Sequence, residues 1–136
     1  MAHNQSILAL DVGEKRIGVA LADPSIRIAV AYETIAVDGT ELDQIRRLIA
    51  YENVATLVIG YPRNQSGEAT KQTAYVEQFA ARLHDIEPEL VFQDESLTSV
   101  KAEELLARQR KPYRKEDIDA LAASLILQDY LESRHG

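Results

Sequence analysis

Three carboxylates occupy positions that suit chemistry better than surface decoration. Asp11 closes the apolar run Ser6 to Val12, and Gly13 follows it, so the backbone can turn at once with little steric cost. An acid there is desolvated yet reachable from the strand end. Asp94 and Glu95 stand where a second, shorter apolar run stops, just before a helix-like stretch. Asp119 begins a helical face continued by Ala122, Ala123, Ile126 and Tyr130, a spacing that turns it toward packed interior. Asp11 has the simpler alternative of an Asx turn closing a hairpin. Asp94 and Glu95 have that of favourable charge near a helix N-terminus. For Asp119 the difficulty is greater, because a buried carboxylate without a partner is costly.

A hard divalent cation removes that cost. Mg²⁺ or Mn²⁺ prefers carboxylate oxygens and retained waters, and can hold Asp11, Glu95 and Asp119 together despite their repulsion. Two such ions about 4 Å apart activate water, position a scissile phosphate and stabilise the leaving oxygen of an in-line displacement. The chemistry these residues fit is therefore metal-dependent hydrolysis of a phosphodiester bond, which needs neither His nor Cys. The rest of the chain agrees. His3 and His135 lie near the ends, His84 has no metal-ligand spacing, and the chain has no cysteine, which excludes disulfides, thiolate zinc and thiol nucleophiles. Ser96, Thr98 and Ser99 have no recognisable His partner, and capping is their simpler role.

A formal net charge of -7 argues against broad adhesion to a polyanion, so nucleic acid would need a local basic patch. Such a patch lies in Ala107 to Glu116, where Arg108, Arg110, Lys111, Arg114 and Lys115 surround Tyr113. Lys15 and Arg16 sit beside the Asp11 turn, where cations offset approaching phosphate. Arg63 and Asn64 lie in the loop Gly60 to Gly67 and could meet phosphate or sugar. A solvated loop is the competing reading for the basic window.

The elements that must position these groups can be read from periodicity. Ser6 to Val12, Arg16 to Ala22 and Ile28 to Val37 form an antiparallel opening of three strands, with Asp23-Pro24-Ser25 as a turn. Thr40 with Asp43 three residues on predicts a capped helix over Glu41 to Glu52. Val54 to Gly60 is continuously apolar and is expected to be the central strand. A helix over Glu68 to Asp85, a strand over Leu90 to Gln93, and helices over Thr98 to Gln109 and Glu116 to Ser133 complete the order βββαβαβαα. The 136 residues suit one α/β domain with a mixed sheet flanked by helices. No secretory signal or membrane-spanning run is recognisable, and cytoplasm is the expected compartment.

Four motifs, in order, carry a resemblance over nearly the whole chain. They are Asp11-Val12-Gly13-Glu14-Lys15-Arg16-Ile17-Gly18-Val19-Ala20, Gly60-Tyr61-Pro62, Asp94-Glu95-Ser96-Leu97-Thr98 and Asp119-Ala120-Leu121-Ala122-Ala123. Together they resemble the YqgF family of RNase H-like nucleases. The resemblance implies an RNase H-like fold related to Holliday junction resolvases, with a five-stranded mixed sheet, and a role in maturing the 5′ end of pre-16S ribosomal RNA. It also implies metal-binding catalytic carboxylates at Asp11, Glu95 and Asp119, with Asp94 as a fourth candidate. The family usually carries Arg directly after the Asp-Glu pair, where this chain has Ser96. Arg63, Lys101 or Arg108 would have to replace that cation.

Three other readings compete. A nucleotide-binding module of the actin and sugar-kinase type shares an opening Asp-x-Gly loop but needs a second lobe, and no second such loop occurs. A ribosome-assembly factor could use the basic window to bind RNA or pre-ribosomal particles without cutting. A junction resolvase would cut branched DNA and pair two active sites in a homodimer, whereas RNA end-trimming suits a monomer.

Overall fold

A computed structural model describes residues 5–62, 68–95, 98–109 and 112–135 of the chain. Strands β1 (Ser6–Val12), β2 (Arg16–Ala22) and β3 (Ala29–Ala36) are followed by α1 (Glu41–Tyr51), β4 (Val54–Pro62), α2 (Lys71–Ala81) and β5 (Glu89–Glu95). Helices α3 (Thr98–Arg108) and α4 (Lys115–His135) close the chain. The five strands form one sheet in the order β3-β2-β1-β4-β5, with β1 pairing antiparallel to β2 and parallel to β4. The middle place therefore belongs to β1 rather than β4. Both are covered on two faces, so a continuous apolar run marks an interior strand without telling which one is central.

Alternation along β1 sends its side chains into two cores. Leu8, Leu10 and Val12 pack with Ile45 of α1 and Val76 and Phe79 of α2. Ile7 and Ala9 pack on the other face with Ala20, Val58 and the α4 residues Ala123, Ile126, Leu127 and Tyr130. The second face carries small residues, which lets a single long helix lie close to the sheet. Helix α4 is pinned at both ends of β3: the Thr34 hydroxyl donates to the Glu116 carbonyl at 2.6 Å, and the Ala29 N–H donates to Gln128 Oε1 at 3.0 Å. Its start thus lies over the end of β1 that carries Asp11.

Several local expectations change. Thr40 makes no side-chain cap; instead Asp38 Oδ1 accepts from the Thr40 N–H at 3.0 Å and from its hydroxyl at 2.6 Å. The Asp38 carboxylate captures the hydroxyl that would have capped the helix. Helix α2 begins at Lys71 rather than Glu68, because Thr70 and Thr73 form a reciprocal capping box. The Thr73 hydroxyl also donates to the Pro62 carbonyl, tying the start of α2 to the end of β4. Pro88 lies well beyond the last helical residue, Ala81. Helix α4 starts one residue early, at Lys115, with the Arg114 N–H donating to Asp117 Oδ2 at 2.9 Å. Asp117 thus serves α4 as a specific cap as well as through the helix dipole. Among the described residues, no helix is long and apolar enough to cross a membrane.

Candidate active site

The site grows from one row of residues across the face that α4 covers. Thr34 pairs with Gly18, Gly18 with Asp11, and Gly60, one step past the Leu10-Ile59 pair, continues the row toward Gln93 on β5. Asp11 shares this face with Ile7 and Ala9 because side chains two apart point the same way. It therefore lies at the carboxyl edge of the parallel strands, the edge where α/β sheets place their functional groups. The turn between β1 and β2 is closed by backbone, the Gly13 N–H donating to the Arg16 carbonyl at 3.0 Å. Asp11 is thus not occupied in closing that turn.

Glycine on each side of Asp11 makes room for the other two acids. A Cβ on Gly18 would overlap the Asp119 carbonyl group and meet the Ala120 nitrogen, so the missing side chain lets the first turns of α4 rest on β2. A Cβ on Gly60 would overlap the Glu95 carboxylate and come within 2.7 Å of Ile126 Cδ1. The Glu95 side chain thus folds back over β4 into space that only glycine leaves open. Glycine inside a strand often marks such a close approach. Both positions lie within motifs quoted above, but periodicity assigns them no role; their places in otherwise apolar strands were the available signal.

The electrostatics of this corner are adverse without a cation. Burial, followed by repulsion from Asp119, raises the Asp11 carboxyl from its ordinary 3.8 to about 6. Burial, followed by repulsion from Asp11, raises Glu95 from 4.5 to about 8. Asp119 thus acts on Asp11, and Asp11 acts on Glu95. Asp119 is not unpaired: Arg16 Nε donates to its Oδ2 at 2.5 Å, with the two side chains 33% and 20% exposed. That hydrogen bond and the Asp119 charge raise the Arg16 pKa further above its ordinary value. Among the described residues, no three His, Cys, Asp or Glu side chains stand ready as they are to hold a metal ion. By donor chemistry Asp11 and Glu95 suit a hard cation, with Asp119 beside them and turned onto Arg16.

Other predicted site residues fall elsewhere or outside the described residues. Asp94 alternates onto the face opposite Glu95 and is not brought to the cluster. Lys15 is exposed at the β1-β2 turn, and Arg108, Arg114 and Lys115 are exposed around the α3-α4 connection. Tyr113 and Arg114 border a groove of about 640 Å³ against Thr34, beside the acidic Glu33, Glu116 and Asp117. Tyr61 packs against Phe92, ring centroids 5.0 Å apart, and its hydroxyl donates to Glu77 at 2.7 Å. Arg63, Asn64, Ser96, Arg110 and Lys111 lie outside the described residues.

Comparison with known proteins places this geometry in context. The sequence model of a family described as "RuvX: Holliday junction resolvase" matches residues 5–133. A candidate pre-16S rRNA nuclease of Chloroflexus aggregans is 45% identical over 138 residues, covering 97% of this chain and 96% of that relative. One of Sulfurihydrogenibium sp. is 40% identical over 129 residues, covering 93% and 89%. Among solved structures, the Fowlpox virus resolvase in complex with Holliday junction DNA superposes with a TM-score of 0.60 at 14% identity, covering 97% of this chain and 100% of that one. T. thermophilus RuvC in complex with its junction substrate gives 0.59 at 13% identity, covering 97% of each. These likenesses bear out the expected RNase H-like fold. The family model and the relatives together show that the chain belongs to the YqgF/RuvX family.

Proposed function

We propose that the chain is a divalent-metal-dependent nuclease, residues 1–136 acting as one RNase H-like domain, in which Asp11, Glu95 and Asp119 form the catalytic centre. The observation that carries this reading is the convergence of three acids from β1, β5 and α4 on one corner, two of them with strongly raised pKa values. Such a cluster costs stability unless a cation or protons occupy it. Mg²⁺ or Mn²⁺ bound there would supply Lewis-acid activation of water and of the scissile phosphate.

The chain's own residues do the rest. Asp11, on the rigid central strand, fixes the centre of the site. Glu95 reaches in from the last strand over Gly60, and Asp119 is carried on a helix seated against Gly18. Lys15 faces the phosphate path beside the turn, and Arg108, Arg114 and Lys115 extend it along the α3-α4 connection; Arg16, Arg63, Asn64, Arg110 and Lys111 are assigned to nucleic-acid binding from sequence. Relatives named for pre-16S rRNA favour a structured RNA precursor and its 5′ end as the substrate. Branched DNA is the second reading, favoured by the family description and the junction-bound fold neighbours. Purified protein given both substrates with Mn²⁺ is expected to cut the RNA precursor faster. Preferential cutting of a four-way junction would move the assignment to DNA, and RNA binding without turnover would leave a binding factor.

A further inference from the structure

The first residue of β2 lies in the same corner as the acids. Arg16 falls two residues from Gly18 on the strand face that α4 covers, and its guanidinium reaches the helix residue Asp119 across 103 positions of sequence. The contact uses Nε alone; among the described residues no bond of the two terminal nitrogens occurs. A cation thus already sits on one of the three carboxylates. No metal-holding trio stands ready among the described residues.

We propose that Arg16 is a place-holding cation. It neutralises Asp119 in the metal-free protein, gives way when a divalent cation enters the cluster, and then presents its guanidinium to substrate phosphate. The inference rests on the carboxylate reading above. Two observations and one property of the guanidinium support it. Asp119 remains part-exposed, so its carboxylate has room to turn. Arg16 is likewise part-exposed, so its long side chain can swing without opening the core. The fork geometry of a guanidinium matches two phosphate oxygens once its carboxylate partner is taken. Arg16 is in these terms a positioning residue before loading and a substrate contact after it.

The test follows the Arg16 Nε–H by NMR in protein labelled with ¹⁵N-arginine, first in EDTA and then with Mg²⁺, with no substrate present. In EDTA the resonance is expected to be protected from solvent exchange; saturating Mg²⁺ should remove the protection, and Glu95→Gln should restore it at the same Mg²⁺ concentration. Binding of Mg²⁺, seen as shifts at the β1 and β5 amides, with Arg16 Nε–H still protected would overturn the exchange and leave the nuclease reading standing. No binding of Mg²⁺ at all would overturn both. Titration calorimetry with Mn²⁺ gives an independent reading. Arg16→Gln should bind Mn²⁺ about tenfold or more tightly than wild type, a gain of about 1.4 kcal/mol. A gain below about twofold would contradict competition for Asp119.

Discussion

Replacing Asp11 with Asn should make the metal-free protein more stable while abolishing its chemistry. The structure gives the size of the effect. The Asp11 carboxyl is raised from 3.8 to about 6, and each pH unit of displacement corresponds to about 1.4 kcal/mol, so ionised Asp11 withholds at most roughly 3 kcal/mol from the folded state. Asn keeps the shape and removes the charge, but its amide still loses some hydration, which leaves an expected gain of about 1–2 kcal/mol. The sign is set by proton linkage. The folded carboxyls of Asp11 and Glu95 hold their protons to higher pH than the unfolded chain does. The contribution of these two groups to metal-free stability is therefore fully present below their ordinary values of 3.8 and 4.5, and is lost as the pH rises through about 6 for Asp11 and about 8 for Glu95. Urea unfolding in EDTA should place Asp11→Asn above wild type at pH 8 and level with it near pH 3. A variant less stable than wild type at both pH values would refute the reasoning, because Asp11 would then be a structural hydrogen-bonding residue and not a charge held against repulsion.

Two glycine substitutions separate fold from site. Gly18→Ala sets a methyl against the Asp119 backbone, so α4 must lift from the sheet; a loss of about 3 kcal/mol or more in urea unfolding is expected, and a loss below about 1 kcal/mol would show that α4 does not sit as described. Gly60→Ala meets only the tips of Glu95 and Ile126, so stability should fall by less than about 1.5 kcal/mol. Displacing the Glu95 carboxylate by about 1 Å should nonetheless lower metal-dependent cleavage on the order of 100-fold. Unaltered cleavage by Gly60→Ala would remove Glu95 from the centre.

How far the sequence reveals this site depends on which physical signal each residue carries. Strands β1 and β2 are legible to the residue because their apolar runs end at turns that glycine and charge announce. Strand β5 is not: its apolar stretch ends near Phe92, yet the ladder to β4 continues through Tyr61-Asp94 and Pro62-Glu95. Backbone pairing rather than hydrophobicity thus carries Glu95 to the sheet edge, and the same alternation sends Asp94 away from it. The helical face of Asp119 is readable from spacing, whereas its partner Arg16 lies on a different element and is fixed by tertiary packing alone. The small residues that admit α4 are visible as letters, but their meaning depends on what lies opposite them.

The most direct measurement is cleavage of end-labelled RNA precursor and branched DNA by wild type, Asp11→Asn, Glu95→Gln and Asp119→Asn, each with Mn²⁺ and with EDTA, after circular dichroism has shown each variant folded. The expected result is cutting by wild type only with Mn²⁺, and loss in all three variants by at least about 100-fold, the scale of removing a group that acts in the transition state. Cutting that persists in EDTA, or in folded Asp11→Asn with Mn²⁺, would contradict a metal-loaded carboxylate centre.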